Sequence, residues 1–145
     1  MTPPKVVRQL LAAHRLETVP PDPSTARIRL ERAIEKLEAA TTVAEIDLEV
    51  AYVAMYDATR IAVTAHMLAH GYRARPIARA HEAVGDYAEA VIASPSAARF
   101  HALRRRRNKS EYDDIVIGRA DFDADLIDAQ AIVDAVETAL TAPKT

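Results

Sequence analysis

Alanine-rich stretches with helical spacing, cut apart by proline and glycine, fill nearly the whole chain, and this punctuation restricts its fold more than anything else. Alanine is the best helix former, whereas the β-branched and aromatic residues that favour strands are thinly spread. With aromatics at 5% and only three glycines in 145 residues, the expected class is all-α. Half of the residues are hydrophobic, enough to build the core of one domain and to argue against wholesale disorder.

The breaks set the expected elements. A first helix covers about Pro4 to Leu16, and the Pro20-Pro21-Asp22-Pro23 run ends it, because proline lacks a donor and restricts its predecessor. Residues 1–22 therefore read as a short N-terminal helical arm and 23–141 as the helical domain. A second helix, Pro23 to Ala40, carries Leu30, Ala33, Ile34 and Leu37 along one stripe. Thr42-Val43-Ala44-Glu45 has the form of a capping box, predicting a long helix from there to His70 with Gly71 in the stop position. That is about 28 residues, or about 42 Å at 1.5 Å per residue. Pro76 is expected to open a further helix, with Ile77, Ala80, Val84, Ala88 and Val91 buried and Ser94-Pro95 ending it. A basic helix follows from Ser96 to Tyr112 or Asp114, then a packed loop at Ile115-Val116-Ile117-Gly118. The last helix starts near Asp121 or Asp123 and runs to Leu140, with Leu126, Ala129, Ile132, Val133 and Val136 inward. Helices of this length on short loops predict an antiparallel bundle of four to five helices.

Several functions are excluded or disfavoured outright. The absence of cysteine removes a disulfide scaffold, a cysteine-ligated zinc site and a cysteine nucleophile, and it fits a reducing compartment. No apolar run approaches the roughly 20 residues of a membrane span, and the N-terminus lacks a secretory apolar region, so a cytoplasmic protein with no membrane partner is expected. There is no glycine-rich phosphate loop and no Ser/His/Asp order. His66 and His70 sit four apart, but without the intervening Glu of a zinc-protease motif they read as ordinary helix-end histidines, and no metal or other cofactor is expected.

Charge is more telling in its distribution than in its total of −2. From Arg99 to Lys109 there are six basic residues and no acid, while from Glu111 to Asp128 seven acids face Arg119 alone. Within the basic helix, Phe100, Leu103 and Arg107 are spaced by three and four and so share a face. An arginine on an apolar face needs a carboxylate or a groove that an anion can reach. Arg104, Arg105 and Arg106 also read as a solvated turn matched to the helix dipole. In the long helix, Tyr52 and Tyr56 share a face as core or interface aromatics, and Asp57 is a candidate to orient Arg107.

Two motifs in these helices resemble a known family. Arg107-Asn108-Lys109-Ser110-Glu111-Tyr112 is similar to the signature of HEPN domains, small helical proteins found with nucleotidyltransferases and in toxin–antitoxin and RNA-processing systems. That signature is Arg, a polar residue, a short spacer and His. Ala51-Tyr52-Val53-Ala54-Met55-Tyr56-Asp57-Ala58 looks like the Ala-Tyr-x-Ala-Met-Phe-x-Ala segment of one HEPN branch, whose later motif commonly ends in an acid plus Tyr. The resemblance spans about Thr42 to Leu140.

It implies a HEPN-like bundle that dimerises, with Arg and His of two protomers meeting in a groove. There the RNA's own 2′-OH attacks the scissile phosphate without a metal. Arg107 matches the phosphate-binding Arg, whose planar fork suits that work, and Asn108 matches the polar residue. Arg104, Arg105 and Lys109 would add RNA contacts. Tyr112 stands where the family has His, and a phenol is a poorer acid–base group than imidazole near neutral pH. His101, a turn before Arg104 and Arg105, is a candidate replacement. In one HEPN group a nucleotidyltransferase adds AMP to a Tyr spaced Arg-x6-Tyr; Arg105 to Tyr112 has that spacing, which puts Ser110 where the family has His. The expected function is an RNA-directed protein of toxin–antitoxin or defence type, either a metal-independent endoribonuclease or a non-catalytic partner or antitoxin, for example of a cognate nucleotidyltransferase. A homodimer is expected, since the long helix and the face of Arg107 both call for cover.

Overall fold

The computed structural model describes residues 2–113 and 115–141. The chain is mostly helical, as composition requires. In order, the elements are α1 (Lys5–Ala12), β1 (Leu16–Thr18), α2 (Pro23–Val43), α3 (Leu48–Ala69), β2 (Tyr72–Ala74), α4 (Ala80–Val91), a 3-10 turn (Pro95–Arg99), α5 (Phe100–Tyr112) and α6 (Arg119–Thr141). None of the described helices is long and apolar enough to cross a membrane.

Helices α2 and α3 form a hairpin, and α6 packs against both. Their seam buries Leu30, Ala33 and Leu37 from α2, Tyr52, Met55, Ala62 and Val63 from α3, and Ala129, Ile132 and Val136 from α6. Alanine recurs along the contacts because its small side chain lets helix axes come close. Helices α4 and α5 cover the remaining side of α3. At their crossing α4 carries Gly85, where an added Cβ would stand 2.4 Å from the His101 ring.

Three expectations are corrected. The Thr42 capping box is not a helix start. Thr42 lies inside α2, the chain turns over residues 44–47, and α3 opens on Asp47, whose carboxylate accepts from the Val50 N–H at 3.0 Å. Asp ranks above Thr as a cap, and the true start was the better-capped one. The long helix is thus 22 residues, and Gly71 does follow its end with φ of 87°. Pro76 does not open α4 either. Arg79 has φ of 68°, a left-handed conformation outside the helix, so α4 begins at Ala80 and Ile77 is left 47% exposed in the preceding turn. The first helix ends at Ala12 rather than Leu16, and Leu16–Thr18 instead pairs antiparallel with Tyr72–Ala74. Residues 1–22, read above as an arm, place Val7, Leu10 and Leu16 in the hydrophobic core.

A polar knot lies within this core. The Asp125 carboxylate of α6 is buried and accepts from the Tyr52 hydroxyl of α3 at 2.7 Å, from Arg106 of α5, and from Arg99 of the 3-10 turn at 3.2 Å. Burial and that carboxylate push the Tyr52 phenol far above its ordinary range, so it stays a donor. Asp125→Ala removes the acceptor of a buried hydroxyl and should lower stability by about 1–3 kcal/mol in denaturant unfolding. The two arginines reach solvent and add little to that loss. Arg105→Ala, on the open face, should stay within about 0.5 kcal/mol of the parent.

Candidate functional site

A helix turns about 100° per residue, so four consecutive arginines cannot share one environment. In α5 the run is divided. Arg106 turns toward α6 and Asp125, Arg105 points to solvent, and Arg104 and Arg107 return to the flank beside α3 and α4. There His81, Arg104, Arg107, Asn108 and Tyr112 line a groove of about 320 Å³.

Arg107 is half-buried, as its position on the Phe100 and Leu103 face requires. Its Nη1 donates to the Glu111 carboxylate and to Asn108 Oδ1, both at 3.2 Å, and its guanidinium lies 5.9 Å from the centre of the Tyr56 ring. Its Nε, like that of Arg104, is buried with no hydrogen-bond partner among the described residues. Tyr112 stands at the rim, 76% exposed. Lys109 and Arg105 are exposed on the outer face and do not line the groove.

Other candidates lie elsewhere. His101 sits at the α4–α5 crossing with Nε2 2.9 Å from Asp86 Oδ1, away from the groove lining. Asp57 is 4.0 Å from Lys36, and Glu111 takes the place beside Arg107 that Asp57 was expected to fill. Ser110 is buried and donates to the Arg107 carbonyl at 2.9 Å, so it does not line the groove with Tyr112.

One residue that sequence reasoning missed, His81, completes the groove. His81, near the start of α4, stacks on Tyr56 with ring centres 6.2 Å apart, and its Nδ1 is 3.1 Å from the Tyr56 hydroxyl. Arg60, one turn after Tyr56 on α3, lines a separate cavity with Arg29, Arg32 and Tyr72, and only its charge reaches the same pair. Partial burial, then the charges of Arg60, Arg107 and Arg104, hold the His81 imidazole below its ordinary value, with Asp57 opposing. Burial pushes the Tyr56 phenol up to about 12 against the same three arginines. No local spacing in the sequence signals His81. The groove thus gathers two guanidiniums beside an imidazole held below its ordinary value. No family model, no curated protein and no solved structure matches the chain.

The pair His66 and His70 is a packing feature. The rings stack 4.2 Å apart, His66 Nδ1 meets the Tyr87 hydroxyl at 2.8 Å, and His70 Nδ1 meets the His66 carbonyl at 2.8 Å. Burial, aided by His70, pulls the His66 imidazole from an ordinary 6.5 down to about 4. The native state therefore keeps His66 neutral where the unfolded chain would protonate it. Stability should be complete above pH 6.5 and fall as pH drops toward 4. That contribution is about 3 kcal/mol at most. Denaturant unfolding from pH 7.5 to 4 should show a shallower loss in His66→Gln than in the parent, whatever the variant does to absolute stability.

Proposed function

We propose that the chain is a HEPN-like, RNA-directed protein of toxin–antitoxin or defence type, which grips RNA phosphates through Arg104 and Arg107, with Arg105 and Lys109 adding contacts at the edge. The single observation that supports this most is the pair of half-buried guanidiniums with unpartnered Nε–H groups in one open groove. Such groups are costly unless an anion meets them, and a guanidinium offers phosphate a planar, two-pronged grip. The α2, α3, α5 and α6 helices are read as an antiparallel bundle of the HEPN kind, and two copies are read as facing each other across the groove.

In the cleaving form of this reading, the RNA 2′-oxygen attacks the adjacent phosphorus and the bond to the 5′-oxygen breaks. Arg107 balances the charge on the phosphoryl oxygens and Asn108 holds Arg107 in place. The 2′ proton leaves to water, and the Tyr112 phenol protonates the departing oxygen. A second reading, a non-catalytic partner or antitoxin of a nucleotidyltransferase or other toxin, draws on Tyr112 itself, a solvent-open phenol where cleavage favours an imidazole.

Arg107→Ala should abolish toxicity or RNA cleavage and weaken RNA binding at least tenfold while leaving the helical signal intact. Unchanged RNA binding in a folded Arg107→Ala protein would overturn the phosphate role. Tyr112→His restores the Arg-x4-His spacing, and a gain of ribonuclease activity would favour the cleaving form. Silence from that variant, with RNA binding retained, would favour the partner. Sedimentation at micromolar concentration tests the dimer.

A further inference from the structure

A second basic cavity shares no residue with the groove. It holds about 500 Å³ between α2, α3, β2 and the segment after β1, within the range of about 300–1,000 Å³ that small-molecule sites occupy. Arg29, Arg32, Arg60 and Arg73 line it, and no acid among the described residues does. Most of the remaining lining is apolar, from Val19, Ile61, Met67 and Leu68, with the half-buried Tyr72 beside them. Backbone bonds tie these walls together. The Val19 N–H donates to the Gly71 carbonyl at 2.9 Å and the Asp22 N–H to the Leu68 carbonyl at 3.1 Å, which fastens the chain before α2 to the end of α3. Gly71 permits this approach, since an added Cβ would stand 3.0 Å from the Val19 oxygen.

The four arginines are unequally answered. Glu17 takes Arg73, whose Nε lies 2.7 Å from its carboxylate. Asp22 caps α2 through the Thr25 N–H, and its charge reaches Arg29. Asp57, one turn before Arg60, lies 4.0 Å from Lys36 and lines a different cleft. Glu31 and Glu35 of α2 are exposed and do not line the cavity. Arg32 and Arg60 make no ion pair among the described residues, and the Arg60 Nε–H is buried without a hydrogen-bond partner. Unpaired buried donors are rare in native folds, and two guanidiniums brought to one cavity from neighbouring helices repel each other. The arrangement suits a ligand with two charges and several acceptor oxygens, and a carboxylate supplies only one charge.

We propose that this cavity binds a small organic phosphate, with Arg32 and Arg60 on its oxygens, Arg29 beside them, and its aromatic or aliphatic body against Val19, Met67, Leu68 and Tyr72. A phosphate monoester carries close to two charges at neutral pH, and guanidinium forks match its oxygens. A bare phosphate leaves the apolar lining in water, whereas a ring or chain removes that surface from it. The site is independent of the RNA reading, because none of its residues lines the Arg104–Arg107 groove. It also gives the N-terminal segment a second task besides filling the core, since Val19 and the β2 residues that pair with β1 form one wall.

The test uses the full chain and 1-naphthyl phosphate at about pH 7.5, where the ester is close to doubly charged, with binding followed by calorimetry. It should bind about tenfold more tightly than inorganic phosphate, which lacks the ring, and than 1-naphthoate, which has the ring and one charge. Arg32→Gln and Arg60→Gln should each weaken that binding about fivefold with the helical signal unchanged, and the Tyr72 ring resonances should shift on saturation. Arg107→Ala should leave it unaltered. Equal binding of inorganic phosphate and the naphthyl ester would reduce the cavity to an anion patch and overturn the proposal. So would loss of binding in Arg107→Ala but not in Arg60→Gln, which moves the compound to the groove. Failure of 1-naphthyl, phenyl and hexyl phosphate alike to bind below about 1 mM overturns it as well. A short RNA that displaces the ester and loses as much affinity in Arg32→Gln as in Arg107→Ala would assign the cavity to the RNA surface. That outcome overturns the small-molecule site and leaves the RNA reading standing. Binding of the ester with the expected arginine pattern, and no binding of RNA, would support the cavity and remove the RNA reading.

Discussion

The buried carboxylate of Asp125 is answered by groups from three other segments, Tyr52 of α3, Arg106 of α5 and Arg99 of the turn that precedes α5. A carboxylate taken out of water tolerates little deviation in its partners, since each donor it loses leaves charge uncompensated in a poorly polarisable interior. This fixes the rotation of α5 about its own axis. With Arg106 committed to α6, the residues beside it in sequence have no freedom of direction. Arg107 is carried about 100° around the helix, and Arg104, two residues back, comes to about 160° in the same sense, which returns both to the flank near α4. The groove is therefore a consequence of the knot on the opposite side of the same helix. Arg105 and Lys109 fall on the open face for the same reason.

This explains which parts of the site were legible in the sequence. Arg107 was, because its spacing from Phe100 and Leu103 is local and a helix converts spacing into a face. The separation of Arg106 from Arg104 was not. It depends on Asp125 being the buried acid of α6; its spacing of four from Ala129 and seven from Ile132 does put it on the inward face, unlike Asp121, Asp123 and Asp128, but which arginine it meets is set by how α5 packs on α6. The all-α class was legible from composition and from proline punctuation, and most helix cores fell where the apolar stripes predict. The boundaries at Thr42 and Pro76 were not, because a capping pattern states only that a residue is able to cap. Asp47 competes with Thr42 five residues later and also shortens α3, so one reason for expecting a two-fold partner is weaker. A 22-residue helix is largely covered by α2 and α6 of the same chain. The face of Arg107 remains as the other reason.

His81 was invisible for a further reason. Its place is set by contacts that join distant parts of the chain. The β1–β2 pair ties the N-terminal segment to the stretch after α3, and α1 packs on α4, so the first eighteen residues help position the start of α4. Arg15 adds ion pairs to Glu82 and Asp86 on that helix. Gly85 lets α5 approach closely enough for His101 to meet Asp86. The histidine that a local reading favours is thereby spent on joining two helices, and the one that it passes over reaches the groove.

Arg104 and Arg107 share one groove beside the Tyr56 and His81 rings, and Glu111 offsets only part of their mutual repulsion. Several features are best explained together on this basis. Tyr56 offers its ring face to Arg107, a contact that tolerates the cation without neutralising it. Partial burial and the neighbouring arginines hold the His81 imidazole below its ordinary value, which disfavours a further charge. Asn108 gives Arg107 an acceptor that is likewise uncharged. A second carboxylate in any of these places would relieve that repulsion and would also cancel the positive potential of the groove. Stability and the positive potential of the groove are set against each other at this spot. The knot at Asp125 makes that arrangement tolerable, since it anchors α5 from the other side of the same helix.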